Sequence, residues 1–393
     1  MPIDLDRARR ETPGCARVLH LNNAGAALMP TPVVEALLGH IKLEAEIGGY
    51  EAAARAQARI DHSYDALARL LNCRHDEIAI VENATRAWDM AFYSLAFAPG
   101  DRILTAAAEY ASNVIPYLQV ARRSGCTVEV VPSDASGQLS VAALESMMEA
   151  RVKLIAVTHV PTNGGLVNPA AAIGRIAKAW RVPFLLDACQ SAGQMPLDVE
   201  AIGCDMLSAT GRKYLRGPRG IGFLYVRREW IERLEPPLLD LHAATWTAPD
   251  VYELRPDARR FENWETNIAA KIALGAAVDY ALDWGLDAIY GRVRALADAL
   301  RATLARIPGV AIHDLGAERC GIVTLTVAGK DPAALQKALA AQAINVTVSS
   351  RASTLFDMQA RGLDTVLRAS VHYYNSEDEI ARFAAAIAAL ARK

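Results

Sequence analysis

Lys213 stands in SATGRKYLRGPRGIGFLYV, residues 208–226, where an apolar run ends in a Thr-Gly-Arg-Lys turn and a Gly-Pro-Arg-Gly turn leads into a second apolar run. Lysine is rarely buried without a partner. A lysine at the mouth of a core strand, with Arg212, Arg216 and Arg219 around it, is therefore a candidate for covalent or acid–base chemistry. Asp187 ends the earlier run PFLLDA, one strand–helix–strand step before the lysine, so both side chains can reach one pocket. Thr85 and Arg86 open a helical stretch, where free N–H groups and the helix dipole favour an anion. Thr210 and Arg212 flank the lysine and can add anion contacts. A lysine, a buried acid, a helix-terminal phosphate site and a flat ring in Tyr110 match one cofactor, pyridoxal 5'-phosphate.

Such residues need a scaffold that brings them together. DEIAIVEN, DRILTAAAE, TVEVVPSD, VKLIAVTHV, PFLLDAC and CDMLSAT are short runs rich in Val, Ile and Leu. They suit parallel strands buried on both faces. LSVAALESMMEARV and AAAIGRIAKAWRV carry apolar positions at helical spacing and predict crossovers. GIGFLYVRR follows a tight turn and predicts an antiparallel addition. Beyond about residue 270 two long helices lead into GIVTLTVAG, NVTVSS, VLRASVHYY and an Ala-rich final helix. The expected fold class is α/β: a large doubly wound, mixed and mostly parallel sheet domain plus a smaller α+β C-terminal domain. The expected boundaries are 1–20 for an N-terminal segment packing with the small domain, 21–270 for the cofactor-binding domain, and 271–393 for the linking helix and small domain. In open α/β sheets ligands bind outside the carboxyl ends of the strands. Asn83 to Arg86, His159 to Gly165, Asp187 to Gln190 and Thr210 to Lys213 all fall at such ends.

Bulk properties narrow the function. A net charge of −2 over 393 residues gives no electrostatic reason to expect nucleic acid or a membrane surface as partner. Hydrophobic content of 52% argues against disorder. The six cysteines, at 15, 73, 126, 189, 204 and 320, form no C-x-x-C pair, so reduced thiols are expected rather than disulfides or a metal site. MPIDLDRARRETPG lacks the apolar core of a signal peptide and no 18-residue apolar run follows, so the expected compartment is the cytoplasm. No G-x-G-x-x-G follows the first strand, which sets aside a dinucleotide-binding fold.

DACQSAGQMPLDVEAIGCDMLSATGRKYLRGPRGIGFLYV resembles the core signature of class V aminotransferase-fold enzymes, the group holding cysteine desulfurases, isopenicillin N epimerases and related lyases. The resemblance runs from LNNAGAALMP to LRASVHYYNSEDEI. It implies a fold-type I pyridoxal phosphate enzyme with Lys213 as the Schiff-base lysine, Asp187 paired with the pyridine nitrogen and Gln190 near the phenolic oxygen. It places Thr85, Arg86, Thr210 and Arg212 at the phosphate. Thr266 in ENWETN resembles the residue that reaches the phosphate of the neighbouring subunit, which implies a homodimer with shared active sites. Arg368 in LRAS matches the clamp on a substrate α-carboxylate, so the partner is a small amino acid. Thr162 is a further expected cofactor contact, and Asn23 and His242 are expected substrate contacts.

Three departures bear on the reaction. Tyr110 in EYASN stands where desulfurases usually stack a histidine, and Arg212 stands where they carry a histidine before the lysine. VSSRASTLFDMQARGLD, their persulfide loop, contains no cysteine; Cys189 is expected to face the core. GRKYLRGPRG with VSSRAST and LRASVHYYNSEDE is most similar to the hercynylcysteine sulfoxide lyases. The expected reaction is therefore C–S β-elimination from a cysteine conjugate or sulfoxide, catalysed by Lys213, Asp187 and Tyr110. The alternatives are epimerisation, transamination or desulfuration, and a catalytically silent dimeric relative.

Overall fold

The structure, a computed structural model, describes residues 3–392. Its centre is a seven-stranded sheet. The strands are β1 (Ile78–Val81), β2 (Arg102–Ala106), β3 (Thr127–Val131), β4 (Val152–Thr158), β5 (Phe184–Asp187), β6 (Met206–Thr210) and β7 (Gly222–Val226). They lie in the order β1-β7-β6-β5-β4-β2-β3. β7 runs antiparallel to both of its neighbours, while the β6-β5-β4-β2-β3 pairings are all parallel. The expected mostly parallel sheet with one antiparallel insertion is thus observed.

Period-2 alternation divides each apolar run between two cores. Ile80, Leu186, Leu207 and Phe223 pack into one, whereas Val81, Leu185, Met206 and Leu224 pack into the other. This is why the strands read as continuous hydrophobic runs, and why helices must cover both faces. One such helix, Ala170–Trp180, approaches so closely that a Cβ on Gly174 would lie 1.9 Å from the Ile202 carbonyl oxygen.

The first core continues without a break into a second, antiparallel sheet. Its strands are β8 (Val310–Ile312), β9 (Ile322–Val327), β10 (Thr347–Ser350) and β11 (Thr365–Ser370), in the order β8-β9-β11-β10. Leu19–His20 pairs in parallel with Ile344–Asn345, and Arg9 lies 3.0 Å from Glu379, so the N-terminal chain crosses onto this lobe. An exposed hairpin, Ala244–Ala248 with Val251–Leu254, projects from the large lobe. No helix among the described residues is long and apolar enough to cross a membrane, and no His/Cys/Asp/Glu group there could hold a metal ion.

Candidate active site

Because β4, β5 and β6 run in parallel, their carboxyl ends deliver residues to one crevice. Asp187 is the last residue of β5 and is 4% exposed. Its Oδ1 accepts from the Cys189 amide at 2.9 Å and its Oδ2 from Asn113 Nδ2 at 3.0 Å. Lys213 follows β6. Burial lowers the proton affinity of its amine, Asp187 and Cys189 oppose that, and Arg212 and Arg368 add to it, for a net downward shift. A desolvated lysine of this kind keeps more of the free amine that nucleophilic chemistry needs.

Arg368 comes from the other lobe, on β11, and is buried. Its Nη1 donates to the Thr162 carbonyl at 3.2 Å and to Thr162 Oγ1, while its Nε has no partner among the described residues. Burial pushes its pKa down to about 10, because no carboxylate offsets the lost hydration. A buried guanidinium in this state is suited to a substrate carboxylate. Tyr110 caps helix Ala111–Ser124, is 37% exposed, and its hydroxyl lies close enough to Arg368 to influence it. Lys213, Asp187, Arg368 and Tyr110 are therefore brought together across the two lobes.

Several expected contacts are placed differently. Thr162 accepts from Arg368 through both its carbonyl and its hydroxyl oxygen, and so holds that guanidinium in place. Arg212 donates from Nη1 to the Gly25 carbonyl and fastens the 22–27 loop to the lysine turn. Asn23 has no free donor for a substrate: Nδ2 goes to the carbonyls of Ser370 at 2.7 Å and His20 at 3.3 Å, and Oδ1 accepts from Tyr374. His242 Nε2 lies 3.4 Å from the buried Glu262 carboxylate, which accepts from Lys271 and Tyr64. Cys189 does not face the core. It is half-buried at the crevice, where burial and Asp187 push its thiol pKa up and Lys213 pulls it down. Thr210 is buried on β6, Thr85 is exposed at the start of helix Ala84–Phe92, and the Asn83 side chain caps the Arg86 amide at 2.9 Å. Thr266 is half-buried in the segment leading into helix Ile268–Trp284.

A family model described as aminotransferase class-V matches residues 19–383. The chain belongs to the class-V aminotransferase family. Among its relatives, a probable cysteine desulfurase of Methanothermobacter thermautotrophicus is 31% identical over 378 residues, covering 95% of this chain and 94% of its own. The apo structure of cysteine desulfurase from Thermococcus onnurineus NA1 superposes with a TM-score of 0.92 at 28% identity, over 100% of this chain and 99% of that one. The cystine C–S lyase C-DES, solved with its product cysteine persulfide, gives 0.86 at 26% identity over 96% and 99%. A second C-DES structure carries glycine covalently linked to its PLP cofactor, at 0.87 and 25% identity over 97% and 98%.

The cofactor of this class-V chain is pyridoxal 5'-phosphate, and the crevice fits it. Buried polar atoms are normally satisfied. Here Gln190 Oε1, Ser208 Oγ, Asn163 Oδ1, His159 Nδ1 and Arg368 Nε lack hydrogen-bond partners among the described residues. Gln190 has committed Nε2 to the Ala24 carbonyl at 3.0 Å, leaving an acceptor for a phenolic hydroxyl. Burial depresses the His159 pKa to about 4, so its ring is neutral beside Asp187.

Proposed function

We propose that this class-V enzyme cleaves the C–S bond of a cysteine conjugate or cysteine sulfoxide by β-elimination, giving pyruvate and ammonia. The carrying observation is the segment over the crevice. Arg351–Ser353 and Leu355–Ala360 follow β10, and Thr354 Oγ1 accepts from Asn163 at 3.1 Å beside the Thr162–Arg368 contact. A desulfurase needs a thiolate able to attack substrate sulfur there. Residues 348–364 contain none.

When bound, the cofactor supplies a conjugated ring that accepts the electron pair of the α-carbon. Arg368 fixes the α-carboxylate through a charge-assisted fork. Asp187 would hold the cofactor at its ring nitrogen and stabilise a proton there. Lys213 would take the α-proton. The C–S bond then breaks with its electron pair leaving on sulfur, and water completes the conversion to pyruvate and ammonia. A sulfenate or an activated thiolate leaves readily, so no acceptor thiol is required.

Desulfuration is the second reading, favoured by the names of the curated relatives. Cys189 is its candidate thiol, but burial and Asp187 hold that group protonated. A homodimer with shared sites belongs to the same proposal. Leu241, Trp246 and Trp264 are 71%, 78% and 50% exposed around the Thr266 segment and the hairpin, a surface suited to a second subunit. All six cysteines are free, which supports a reducing, cytoplasmic compartment.

The test is a substrate panel of cysteine sulfoxides, cysteine S-conjugates, free cysteine and D- and L-amino acids. The expected result is kcat/KM for a sulfoxide or conjugate at least about 100-fold above that for cysteine. Racemised amino acid without pyruvate would point to the epimerase instead.

A further inference from the structure

Glu109 lies in the turn between β2 and helix Ala111–Ser124, is 1% exposed, and has no role in the mechanism above. Donors enclose both of its carboxylate oxygens. Oε1 accepts from the Tyr110 amide at 3.0 Å, from Asn113 Nδ2 at 2.8 Å and from Thr158 Oγ1. Oε2 accepts from the Thr158 amide at 2.9 Å and from Thr105 Oγ1 at 3.2 Å. Asn113 carries this network to the cofactor crevice, because the same Nδ2 donates to Asp187 Oδ2 at 3.0 Å. A carboxamide nitrogen has two protons, and here each meets one carboxylate. The reverse orientation would aim its oxygen at both anions, so the charges themselves fix how Asn113 points.

We propose that Glu109 is a positioning residue for Asp187: through Asn113 it fixes Asp187 Oδ2, and its charge, one carboxamide behind, raises the proton affinity of the cofactor ring nitrogen. The proposal rests on the cofactor and on the Asp187 role given above. Like charges this close in a dry site reinforce the field at a shared cation. The ionisable groups facing the network are Asp187 from β5, Tyr117 from helix Ala111–Ser124, neutral His159 after β4, and Cys189 and Lys213 beside Asp187. Burial pushes Glu109 up to about 7, Thr158 and Asn113 pull it down, and Asp187 adds to the rise. Near neutrality its charge is therefore adjustable, and protonation of Glu109 weakens the hold on the ring proton.

The test loads the wild type, Glu109→Gln and Asn113→Ala with cofactor labelled with nitrogen-15 in the ring and follows its chemical shift against pH. This reads ring-nitrogen protonation directly, without turnover. The ring nitrogen of both variants should lose its proton at lower pH than in the wild type, an affinity about tenfold weaker or more. A purely structural role would lower melting temperature or cofactor content without moving that titration. If Glu109→Gln fails to fold or load, Asn113→Ala breaks the bridge alone and still decides. Variants that load and titrate as the wild type does overturn the proposal while leaving the cofactor reading intact. A wild type that takes up no cofactor overturns both.

Discussion

At Lys213 the chain joins a lowered amine pKa to a neighbouring carboxylate, so its removal has a sharper signature than lost activity alone. Lys213→Ala should abolish turnover and leave a protein whose cofactor is lost on dialysis and not fixed by borohydride. Borohydride fixation at Lys153 or Lys271 would contradict the assignment. Asp187→Asn keeps the size but removes the charge, and kcat should fall about 10²- to 10⁴-fold with the fold intact, as judged by circular dichroism. Arg368→Ala should raise KM by about 10- to 100-fold more than it lowers kcat, since it removes a charge-assisted carboxylate contact. Lys213, Asp187, Gln190 and Arg368 could be picked out as candidates because each stands at a strand end or within a recognisable run, and their roles stay part of the proposal. Glu109 and Asn113 were not, although an acid between a strand and a helix was visible in EYASN. Their role depends on β2, β4 and β5 lying side by side, which no local window displays. The Cys189 prediction failed for a related reason: one residue beyond a buried strand, the direction of a side chain is set by the turn.

Elements of the large lobe are held together partly by a buried ion pair. Glu262 accepts from Lys271 Nζ at 2.8 Å, from Tyr64 at 2.8 Å and from the Ile80 amide at 2.7 Å. It thereby ties helix Ile268–Trp284, helix Gln57–Leu71 and edge strand β1 together. Burial alone would raise the Glu262 pKa, yet Lys271 and the hydrogen bonds outweigh it and bring it down to about 2. A depressed carboxylate contributes stability at higher pH that is lost as pH falls below about 4.5 toward about 2. Glu109 acts oppositely: its raised pKa costs stability as pH climbs from about 4.5 past about 7. Lys271→Met should destabilise by about 3 to 5 kcal/mol by stranding a buried anion, and the additional change Glu262→Gln should recover part of that. Calorimetric melting would show this, and an unchanged melting temperature in the single variant would refute it. The core strands were readable from apolar runs and the C-terminal lobe from its change of texture. The 244–254 hairpin was not, because its strand residues are largely exposed and show no alternation.

For the molecule as a whole, the two lobes share one continuous core, and the crevice takes Lys213 and Asp187 from one and Arg368 from the other. The proposed homodimer adds a third contributor, Thr266 of the second copy. Mixing Lys213→Ala with Thr266→Ala protomers should regain activity in up to about a quarter of sites, because each mixed dimer assembles one intact site. Full activity from a monomer at high dilution would exclude shared sites. The reaction itself is decided most directly by product stoichiometry with a cysteine sulfoxide conjugate and, separately, with free cysteine, measuring pyruvate, alanine and protein-bound persulfide together. The expected result is one pyruvate per sulfoxide consumed, no alanine, and an unchanged ratio in Cys189→Ser. Alanine formed one-for-one with persulfide on the protein would contradict elimination and establish a desulfurase.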